Sequence, residues 1–533
     1  MKKKILILFI AACIALPVFA GGSQSGGAQS GGSTANQKIN LKGFAFVNAR
    51  IMSAVTQFNE VWAFQEAERA TGIHVDWIHP PVGQETEQCN LMIASGDLPD
   101  FIFMNYDKIG GLSKLLSDGT IIKLNQYLDQ GKMPNYKAIM DKYPAVKRQL
   151  LMDDGTLASF NMLRIREYMG QLGWFSDGGI MLRKDWMDTL HLNVPTTVAE
   201  YEAVLRAFKT GDPNGNGIAD EIPVCIYYAN GWSEFAQFFG MGDSFYDMNG
   251  TVKYGPIEPR YRDFVATIAR WYADGLTDPD WITVDTKSYQ AKFLQNLVGS
   301  SNSLVGNMGT LRDIMVDTIP GVDFVGIRNF KNDADGKVYS TLSNLRQSFV
   351  NEASMVTSKC TNIDATLKYL DWVYSPAGTE AFNWGQPDVS YTIKNGVKSF
   401  TDEVVNNPKG YPVERALSQY AMSMCEWSMS KDPDYWMQTT LRFPFQLEAL
   451  DNWGNVDNAI AMPPISLTPD EAKRNSQIMN DIGTLKSETV TKIILGTAPV
   501  SALDNMVTLM KQMGIDEAIK IQQAALDRYY ARK

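Results

Sequence analysis

The sequence predicts an α/β fold with more than one folded lobe. Short apolar strands alternate with amphipathic helices from residue 39 onward: strands are predicted at residues 40–46, 73–77 and 101–104, and helices at residues 59–71 and 86–94. This alternation is typical of a parallel sheet flanked by helices. The chain has 533 residues, of which 45% are hydrophobic, and this length exceeds what one core usually organises. Two or three folded units are therefore expected.

A second α/β unit is predicted to begin near residue 178. An apolar strand at residues 180–182 leads into a helix at 184–190, and Thr197 is a suitable N-cap for a helix that extends to about Lys209, with Glu200 as its capping-box partner. Residues 157–161 are predicted to form a further strand. Additional helices are expected at residues 120–128, 134–151, 259–275, 287–297 and 364–374, and the chain from residue 418 onward is predicted to be largely helical.

Charge and reactive side chains exclude several classes of function. The formal net charge is -10, and the charges are spread along the chain, so no basic surface is available for a nucleic acid. None of the histidines forms an HExxH pair, and none of the cysteines forms a CxxC pair, which disfavours zinc sites and histidine-based catalysis. The histidines are His74, His79 and His191, and the cysteines are Cys13, Cys89, Cys225, Cys360 and Cys425.

The first residues have the pattern of a secretory signal peptide. Three lysines at positions 2–4 precede an apolar run at residues 5–16, and Val18 and Ala20 supply a small-residue cleavage site after residue 20. Residues 10–13, Ile-Ala-Ala-Cys, offer an alternative, a lipobox that would leave a lipid on Cys13. We assign residues 1–20 to the signal peptide.

Residues 21–37 are rich in Gly and Ser and are predicted to form a flexible tether. No later stretch approaches the ~20 consecutive apolar residues that a membrane-spanning helix requires. The mature protein is therefore expected outside the cytoplasm, in the periplasm or at the cell surface, with a lipid anchor as the alternative to free release.

A loop near residue 212 has the spacing of a calcium site. Asp212, Asn214 and Asn216 stand at positions 1, 3 and 5 of a calcium-binding loop, Gly217 stands at position 6, and Ile218 offers its carbonyl at position 7. Calcium prefers six to eight oxygen ligands, and this alternation directs successive oxygens toward one point.

The second half of this loop departs from the usual pattern. Pro223 occupies position 12, where a glutamate normally stands, so Asp220 and Glu221 would have to complete the coordination. A turn with solvated acids is the alternative. Nothing reactive surrounds the loop, so the predicted ion is structural Ca²⁺.

Several segments together resemble one family, the extracellular solute-binding proteins of ABC importers. Within this family the chain is similar to the large calcium-containing group that includes the alginate-binding proteins and the LipO-like lipoproteins. The combination of the calcium loop with the motifs at 182–186 and 195–197 is the discriminating feature. The matching segments are residues 94–100 (ASGDLPD), 154–156 (DGT), 182–186 (LRKDW), 195–197 (PTT), 212–223, 275–279 (GLTDP) and 369–375 (YLDWVYS) followed by Gly378.

The resemblance implies a periplasmic-binding-protein-like fold, in which two α/β lobes joined by a hinge close on a ligand in the cleft between them. Lobe 1 would comprise residues 38–165 and 341–400, and lobe 2 residues 166–340 and 401–533. The calcium loop would then lie in lobe 2, away from the cleft. The residues that match the family's metal ligands are Asp212, Asn214, Asn216, Ile218 through its carbonyl, Asp220 and Glu221.

Polar residues after two strands of the first sheet are candidates for ligand contact. Ligands of open α/β sheets bind beyond the carboxyl ends of the strands, which indicates Asn48 after the first strand and Asn105 and Tyr106 after the third. Arg346 lies where the chain is expected to cross between the lobes, and there it would pair either with an acidic sugar or with an acid in the hinge.

Three tryptophans stand in or beside loops rich in Gly, Asn or Asp, and are harder to explain as core than tryptophans at helical spacing. They are Trp174, Trp232 and Trp384. Aromatic faces cover the C–H patches of sugar rings, so these side chains favour a carbohydrate ligand.

The predicted function is the substrate-binding component of an ABC importer, a monomer that captures an oligosaccharide or a similar solute and delivers it to a permease. The protein is not expected to be an enzyme. An exported glycosidase or polysaccharide lyase is the alternative, although no pair of carboxylates is marked out for hydrolysis. A surface adhesin is a third interpretation, which predicts no affinity for short soluble glycans.

Overall fold

Strands and helices alternate along most of the chain. The structure is a computed structural model that describes residues 39–47, 54–168, 171–173, 176–226, 231–422 and 427–532. The strands are β1 (Ile39–Ala45), β2 (Ile73–Ile78), β3 (Phe101–Asn105), β4 (Phe160–Leu163), β5 (Arg166–Tyr168), β6 (Gln171–Gly173), β7 (Gly178–Arg183), β8 (Ile222–Val224), β9 (Phe245–Met248), β10 (Thr251–Tyr254), β11 (Val298–Leu304), β12 (Phe324–Gly326), β13 (Tyr339–Ser340), β14 (Phe349–Val356), β15 (Tyr391–Lys394), β16 (Val397–Phe400) and β17 (Asn458–Ala459).

The helices surround the sheets and dominate the last third of the chain. The α-helices are α1 (Trp62–Thr71), α2 (Glu85–Ser95), α3 (Gly111–Ser117), α4 (Asn125–Asp129), α5 (Pro134–Lys142), α6 (Pro144–Leu150), α7 (Lys184–Thr189), α8 (Val198–Thr210), α9 (Tyr261–Ala273), α10 (Thr286–Leu294), α11 (Val305–Met315), α12 (Ile363–Trp372), α13 (Pro376–Trp384), α14 (Asp402–Val405), α15 (Val413–Leu417), α16 (Pro433–Thr440), α17 (Pro444–Gly454), α18 (Pro469–Ile494), α19 (Ala502–Met513) and α20 (Ile515–Ala531). Short 3-10 helices lie at Phe58–Glu60, Tyr106–Ile109, Gly231–Phe239, Gly255–Ile257 and Ser343–Leu345.

The first lobe is built on a five-stranded sheet with the order β2-β1-β3-β14-β4. β1 is parallel to β2 and β3, whereas β14 is antiparallel to β3 and β4. The predicted helix at 59–71 packs beside this sheet as α1, and Phe64 and Phe103 both contact the ring of Trp427. The aromatic side chains between α1 and the sheet therefore form the centre of the first core.

The second lobe is built on a four-stranded sheet with the order β12-β7-β11-β8. β11 is antiparallel to β7 and parallel to β8. At Gly179, a Cβ atom would lie 2.5 Å from Trp453, so the absence of a side chain there lets α17 pack directly on β7. Trp186 and Trp271 are fully buried on the other helices of this lobe, as core residues at helical spacing should be. Both lobes thus have α/β cores, and the predicted two-lobed fold class is confirmed.

The chain crosses between the lobes at the described segments that follow β4, β13 and the hairpin β15–β16. The crossings touch one another: the Arg164 amide donates to the Ser348 carbonyl at 2.7 Å, and the Lys431 amide donates to the Leu163 carbonyl at 2.8 Å. The described residues from 39 onward accordingly pack as one compact unit.

The third crossing lies further along the chain than the sequence predicts. Residues 401–533 were assigned to lobe 2, but Met422, Trp427 and Met429 are buried in the first core, and the chain reaches the second sheet only with α17. The reason is aromatic packing, because the Trp427 ring fills the space between α1 and β3.

Two predicted helices differ from the observed ones for backbone reasons. At residues 120–128 only α4 forms, because the Ile122 and Leu124 amides donate to the carbonyls of Val356 and Leu157 instead of to helical partners. The predicted helix at 134–151 is divided into α5 and α6 at Pro144, because proline has no backbone N–H to donate the hydrogen bond that would continue the helix.

Candidate ligand cleft and metal loop

Each sheet presents one edge to the lobe junction. In the first sheet the ends of β3 and β4 and the start of β14 share an edge, because Glu352 pairs with Asn105 and Phe349 with Leu163. In the second sheet the ends of β8 and β11 share an edge with the start of β7, where Leu304 pairs with Gly178. The crossings attach at these two edges, so the strand ends that bind ligands in open α/β sheets meet at the junction.

Asn105 and Tyr106 lie at this edge of the first sheet, as expected for residues at the carboxyl end of β3. The Asn105 amide donates to the Glu352 carboxylate at 2.8 Å, and its oxygen accepts from the Asp107 amide at 3.1 Å. The buried Tyr106 hydroxyl donates to Asn351 at 2.9 Å, and burial raises its pKa well above the usual range. Amides and carboxylates along this edge are thus already arranged as a hydrogen-bonded row.

Tyr106 also lines a cavity of about 630 Å³. One wall of this cavity comes from the first lobe and includes Leu112 and Asn351, and the other comes from Pro464 to Leu467 before α18. We call this cavity the hinge pocket, because Gln347 and Phe349 of the second crossing also line it.

A larger cavity, of about 860 Å³, lies at the carboxyl end of β11. One wall is formed by Asp177, by the turn from β11 into α11 and by Asn307, all from the second lobe. The other wall is formed by residues 411–414 and 431–442, and Trp436 in this stretch packs against apolar clusters of both lobes. We call this cavity the β11 groove. Its lining includes Asp177, Gln290, Leu304, Asn307, Asp313, Tyr411, Glu414, Lys431, Tyr435, Trp436 and Arg442.

The β11 groove combines aromatic side chains with charged and amide groups. Trp436 is half-buried, and Tyr411 lies under the guanidinium of Arg415, which is 4.0 Å from the ring centroid. Arg442 forms an ion pair with Asp313. Aromatic surface beside a few polar groups is the usual composition of a site for a small polyhydroxylated ligand.

The acidic residue Glu234 lines a separate cavity of about 500 Å³, together with Asp243 and Lys486. Glu234 belongs to the 3-10 helix Gly231–Phe239, and its carboxylate accepts a hydrogen bond from the Asn302 amide in β11. Burial, reinforced by the negative charge of Asp177, raises the pKa of Glu234.

Two of the predicted ligand-binding tryptophans are core residues, which corrects the prediction. Trp384 is 0% exposed, its indole donates to the Asp432 carboxylate at 2.8 Å, and it packs against Tyr391 and Phe400. Trp232 is 5% exposed and packs against Phe235, Trp271 and Trp281 in the second core. Gly385, with φ of 82°, bends the chain after Trp384 but does not expose its ring.

Arg346 holds the crossing together, so its pairing with an acidic sugar is also corrected. Its guanidinium donates to the Asp247 carboxylate at 2.8 Å, to the Ala461 carbonyl at 2.7 Å and to the Tyr530 hydroxyl at 2.7 Å. Asp247 is itself 2% exposed. The salt bridge in the hinge, the second interpretation of this arginine, is the one observed. Asn48 and Trp174, the remaining predicted contacts, lie outside the described residues.

The predicted calcium loop at residues 212–223, which we call the metal loop, forms a tight turn, as its sequence predicts. Asp212 accepts hydrogen bonds from the amides of Asn216 at 3.0 Å and Gly217 at 3.0 Å, and Gly217 has φ of 73°, in the left-handed region. The side-chain amides of Asn214 and Asn216 both turn toward Asp220, at 3.2 and 3.1 Å. Hydrogen bonds therefore join the side chains at positions 3, 5 and 9, and the side chain at position 1 closes the turn.

Glu221 supplies the strongest sign that this loop accommodates a cation. It is 8% exposed, and both carboxylate oxygens are buried without any hydrogen-bond partner. Burial and the charges of Asp220 and Asp212 raise its pKa. A buried carboxylate without a partner is costly, and a positive ion would supply the missing interaction.

The donor set fits calcium better than a softer metal. Within the described ranges, no group of three or more His, Cys, Asp or Glu side chains forms a ready metal cluster. The loop instead offers carboxylate, amide and carbonyl oxygens, and calcium accepts all three. The residues present are thus compatible with Ca²⁺.

The residues of the β11 groove were missed by the sequence analysis. Tyr411, Glu414 and Trp436 lie in the part of the chain where the family resemblance is weakest. Trp436 stands in α16 at helical spacing, where it is indistinguishable from a core residue. Asp432, which caps α16, and the proline that follows it were the local signals of a helix start, but they carry no information about the groove.

Two lobes with a polar, aromatic cleft at the strand ends define a ligand-binding protein of the periplasmic-binding class. The chain belongs to the bacterial extracellular solute-binding proteins, whose sequence profile matches residues 52–380. Among the described residues, no helix is both long and apolar enough to span a membrane.

Curated relatives agree with this assignment. The fructooligosaccharide ABC transporter substrate-binding protein FusA of Streptococcus pneumoniae is 29% identical over 349 residues, which span 61% of this chain and 60% of FusA. Lipoprotein LipO of Bacillus subtilis is 23% identical and matches 98% of this chain and 97% of its own length.

Solved structures show the same fold. The alginate-binding protein AlgQ2, in a crystal structure without calcium ion, superposes with a TM-score of 0.70 at 26% identity, covering 92% of this chain and 99% of AlgQ2. FusA in complex with kestose superposes with a TM-score of 0.70 at 23% identity, covering 93% of this chain and 100% of FusA.

Proposed function

We propose that this protein is the substrate-binding component of an ABC importer and that it captures an oligosaccharide in the β11 groove. The observation that carries the proposal is the composition of that groove, which places Trp436 and Tyr411 beside Asn307, Asp177 and Lys431 between the two lobes. An aromatic face covers the apolar side of a sugar ring, while amides and charged groups bond its hydroxyls. The names of FusA and AlgQ2 as carbohydrate-binding relatives support this ligand class.

Capture by closure of two lobes explains why the groove has walls from both sides. A ligand that contacts Asn307 of the second lobe and Tyr411 of the other wall at once favours the closed arrangement over an open one. The shift in population equals the difference in ligand affinity between the two arrangements. A permease that engages only the closed protein would then receive protein that carries its ligand. We propose that the binding protein acts as a monomer.

We further propose that the protein is exported and that one calcium ion stabilises the metal loop. The signal-peptide pattern at residues 1–20 supports export, with a lipid on Cys13 as the variant form of attachment. Asp212, Asn214, Asn216, Asp220, Glu221 and the Ile218 carbonyl would hold the ion. The ion would neutralise Glu221 and fix the connection into β8, whose partner strand β11 ends at the groove.

A thermal-shift screen against short oligosaccharides, followed by isothermal titration of the hits, tests the binding function. We expect at least one oligosaccharide to raise the melting temperature and to bind with one-to-one stoichiometry, because a ligand that binds only the folded state stabilises it. Absence of binding to every short glycan would favour the adhesin interpretation instead.

Product analysis tests the enzyme alternative in the same samples. A binding protein returns its ligand unchanged, whereas a glycosidase generates new reducing ends and a lyase generates unsaturated sugars. We expect neither product after prolonged incubation with the ligand that binds.

A further inference from the structure

Asn307 lines the β11 groove, and two buried hydroxyl groups hold its side chain from the protein interior. It lies in the first turn of α11, directly after β11, and its side-chain amide donates to the Ser303 hydroxyl at 2.9 Å. The same nitrogen donates to the Tyr289 hydroxyl in a longer bond of 3.4 Å. Ser303 and Tyr289 are buried, whereas Asn307 is half-buried and faces the groove as part of its lining.

The hydroxyl of Ser303 can only accept from Asn307. A hydroxyl has one hydrogen to donate and two lone pairs with which to accept. The Ser303 hydroxyl donates its hydrogen to the Leu304 carbonyl at 3.3 Å. Its lone pairs are therefore what it offers to the amide of Asn307, which is the donor of this contact.

The hydroxyl of Tyr289 is committed in the same way through a longer chain. It donates to the Ser301 hydroxyl at 3.0 Å, and Ser301 in turn donates to the Asn302 carbonyl at 3.0 Å. A backbone carbonyl only accepts, so the direction of every bond in the chain is fixed. Both hydroxyl chains therefore begin at the amide nitrogen of Asn307, and a flip of this side chain would break both of them.

The fixed amide turns the other end of the Asn307 side chain, its carbonyl oxygen, away from the hydroxyls. Among the described residues, none donates a hydrogen bond to this oxygen. The oxygen is not sealed within the described part of the chain either, so solvent and ligands can reach it. Because Asn307 lines the β11 groove, the groove has a hydrogen-bond acceptor whose orientation is set before a ligand arrives.

We propose that Asn307 contacts the ligand through its side-chain carbonyl, which accepts a hydrogen bond from a ligand hydroxyl, and that Tyr289 and Ser303 are positioning residues for this contact. This inference rests on the proposed function, because it assigns the chemistry of one contact in the same groove. A sugar hydroxyl can donate to the carbonyl, whereas an ether oxygen or a carboxylate offers only lone pairs and would leave it unbonded. The end of the groove beside β11 therefore selects a ligand with a free hydroxyl at this position.

Calorimetric titration of Asn307 variants tests which atom of the side chain contacts the ligand. The probes are the linear trisaccharides of glucose, galactose, mannose, xylose and fructose at neutral pH, and the one that binds the unmodified protein most tightly is used for all variants. Asn307→Asp keeps an acceptor and removes the donor, whereas Asn307→Ala removes both. Asn480→Ala, at an exposed position of α18 outside the groove lining, is the matched control.

We expect Asn307→Ala to weaken binding of this trisaccharide by about tenfold, because a hydrogen bond to the ligand is lost. Asn307→Asp should bind within about threefold of the unmodified protein, since a carboxylate still accepts from a hydroxyl. Asn480→Ala should bind as the unmodified protein does. If Asn307→Ala does not fold, Asn307→Ser replaces it, because its side chain is too short to keep the contact.

Two results would overturn the contact through the carbonyl. Equal weakening by Asn307→Asp and Asn307→Ala would show that the ligand accepts from the amide instead. Unchanged affinity in the folded Asn307→Ala or Asn307→Ser variant would show that the ligand does not contact this side chain.

Tyr289→Phe tests the positioning role, because it keeps the ring and removes only the hydroxyl. We expect it to weaken binding by about threefold in the protein that carries Asn307, and to cause no further loss in Asn307→Ala, since the hydroxyl acts through that amide. An equal loss in both backgrounds, or no loss in either, would overturn the positioning role of Tyr289.

Failure of the proposed function has a different signature. If none of the five trisaccharides binds, oligosaccharide capture is contradicted, and this inference falls with it. If one binds and neither Trp436→Ala nor Asn307→Ala weakens it, the ligand lies outside the β11 groove. If Trp436→Ala weakens binding and Asn307→Ala does not, the groove remains the binding site and only the contact with Asn307 is overturned.

Discussion

Two clusters of charged side chains differ in whether the protein balances their charge by itself. At the lobe junction, Asp153 accepts from Arg528 at 2.5 Å and from Arg532 at 2.6 Å, and Arg528 also bonds Glu471 at 2.6 Å. We call these four residues the C-terminal lock. In the metal loop, Glu221 is buried with both oxygens unpartnered.

The difference indicates where the proposed ion would balance a charge that the protein does not balance itself. In the C-terminal lock, hydrogen bonding to Arg528 lowers the pKa of Glu471, and the arginines and acids satisfy one another. In the metal loop, burial and neighbouring acids raise the pKa of Glu221. The lock is complete as a contact between the end of α20 and the first lobe, whereas the proposed ion would balance the buried charge of the loop.

The largest expected effect comes from removing the acid of the lock. Asp153→Ala leaves Arg532, which is 2% exposed at its side chain, without an acidic partner. We expect a loss of about 3–5 kcal/mol in the free energy of unfolding, the usual result of breaking one partner out of a buried pair. Urea denaturation followed by tryptophan fluorescence measures it.

An exposed ion pair gives the matched control for the lock. Asp504 pairs with Arg262, but its side chain is 72% exposed. Asp504→Ala should therefore cost less than about 1 kcal/mol. If the two alanine variants had the same free energy of unfolding, burial of the C-terminal lock would add nothing to the strength of its ion pairs.

Removal of calcium is the next largest effect. Chelation with EGTA should lower the melting temperature, because an ion present at ~100 times its dissociation constant contributes about 2.7 kcal/mol. Added Ca²⁺ should restore the value, and added Mg²⁺ should restore it less, since Mg²⁺ demands a smaller octahedral site. An unchanged melting temperature after chelation would contradict the proposal that the metal loop binds calcium.

Replacement of Glu221 itself is expected to change the free energy of unfolding by a smaller amount and in the opposite direction. In EGTA at neutral pH, Glu221→Gln should stabilise the protein by about 1 kcal/mol, because it removes a buried charge that lacks a partner. The same variant should lose the response to Ca²⁺. Chemical denaturation with and without the chelator measures both changes.

Glu200 provides the control for this change. Its carboxylate accepts from the Thr196 amide at 2.7 Å and hydroxyl at 2.8 Å, which lowers its pKa. Glu200→Gln should therefore not stabilise the protein. Stabilisation by both substitutions would indicate a general effect of net charge, with no special role for the burial of Glu221.

The tight turn of the metal loop could be predicted from the sequence because its geometry is local. A tight turn needs Gly217 in the left-handed region, and oxygen atoms at alternate positions need only ten consecutive residues. The first sheet could be predicted for the same reason, since β1, α1, β2, α2 and β3 follow one another along the chain. Local pattern determines local structure when successive elements pack on each other.

The cleft could not be predicted in the same way because distant segments form it. Trp436 joins the groove through contacts with residues more than a hundred positions earlier, and its helical spacing is that of a packing residue. Trp384 shows the reverse case: a loop-like context surrounds a ring that Phe400 and Tyr391 bury completely. Exposure of a ring depends on which segments return to it, and this information is spread over the whole chain.

If the β11 groove binds an oligosaccharide, loss of its tryptophan should weaken binding, and calorimetry on two tryptophan variants measures this. Trp436 and Trp372 are both half-buried and both pack at the margin of a core, but only Trp436 lines the groove. Titration of the best oligosaccharide from the screen into Trp436→Ala should show affinity reduced by about tenfold to a hundredfold, as expected for an aromatic anchor. Trp372→Ala should bind as the unmodified protein does, and equal affinity in the two folded variants would contradict the placement of the ligand in this groove.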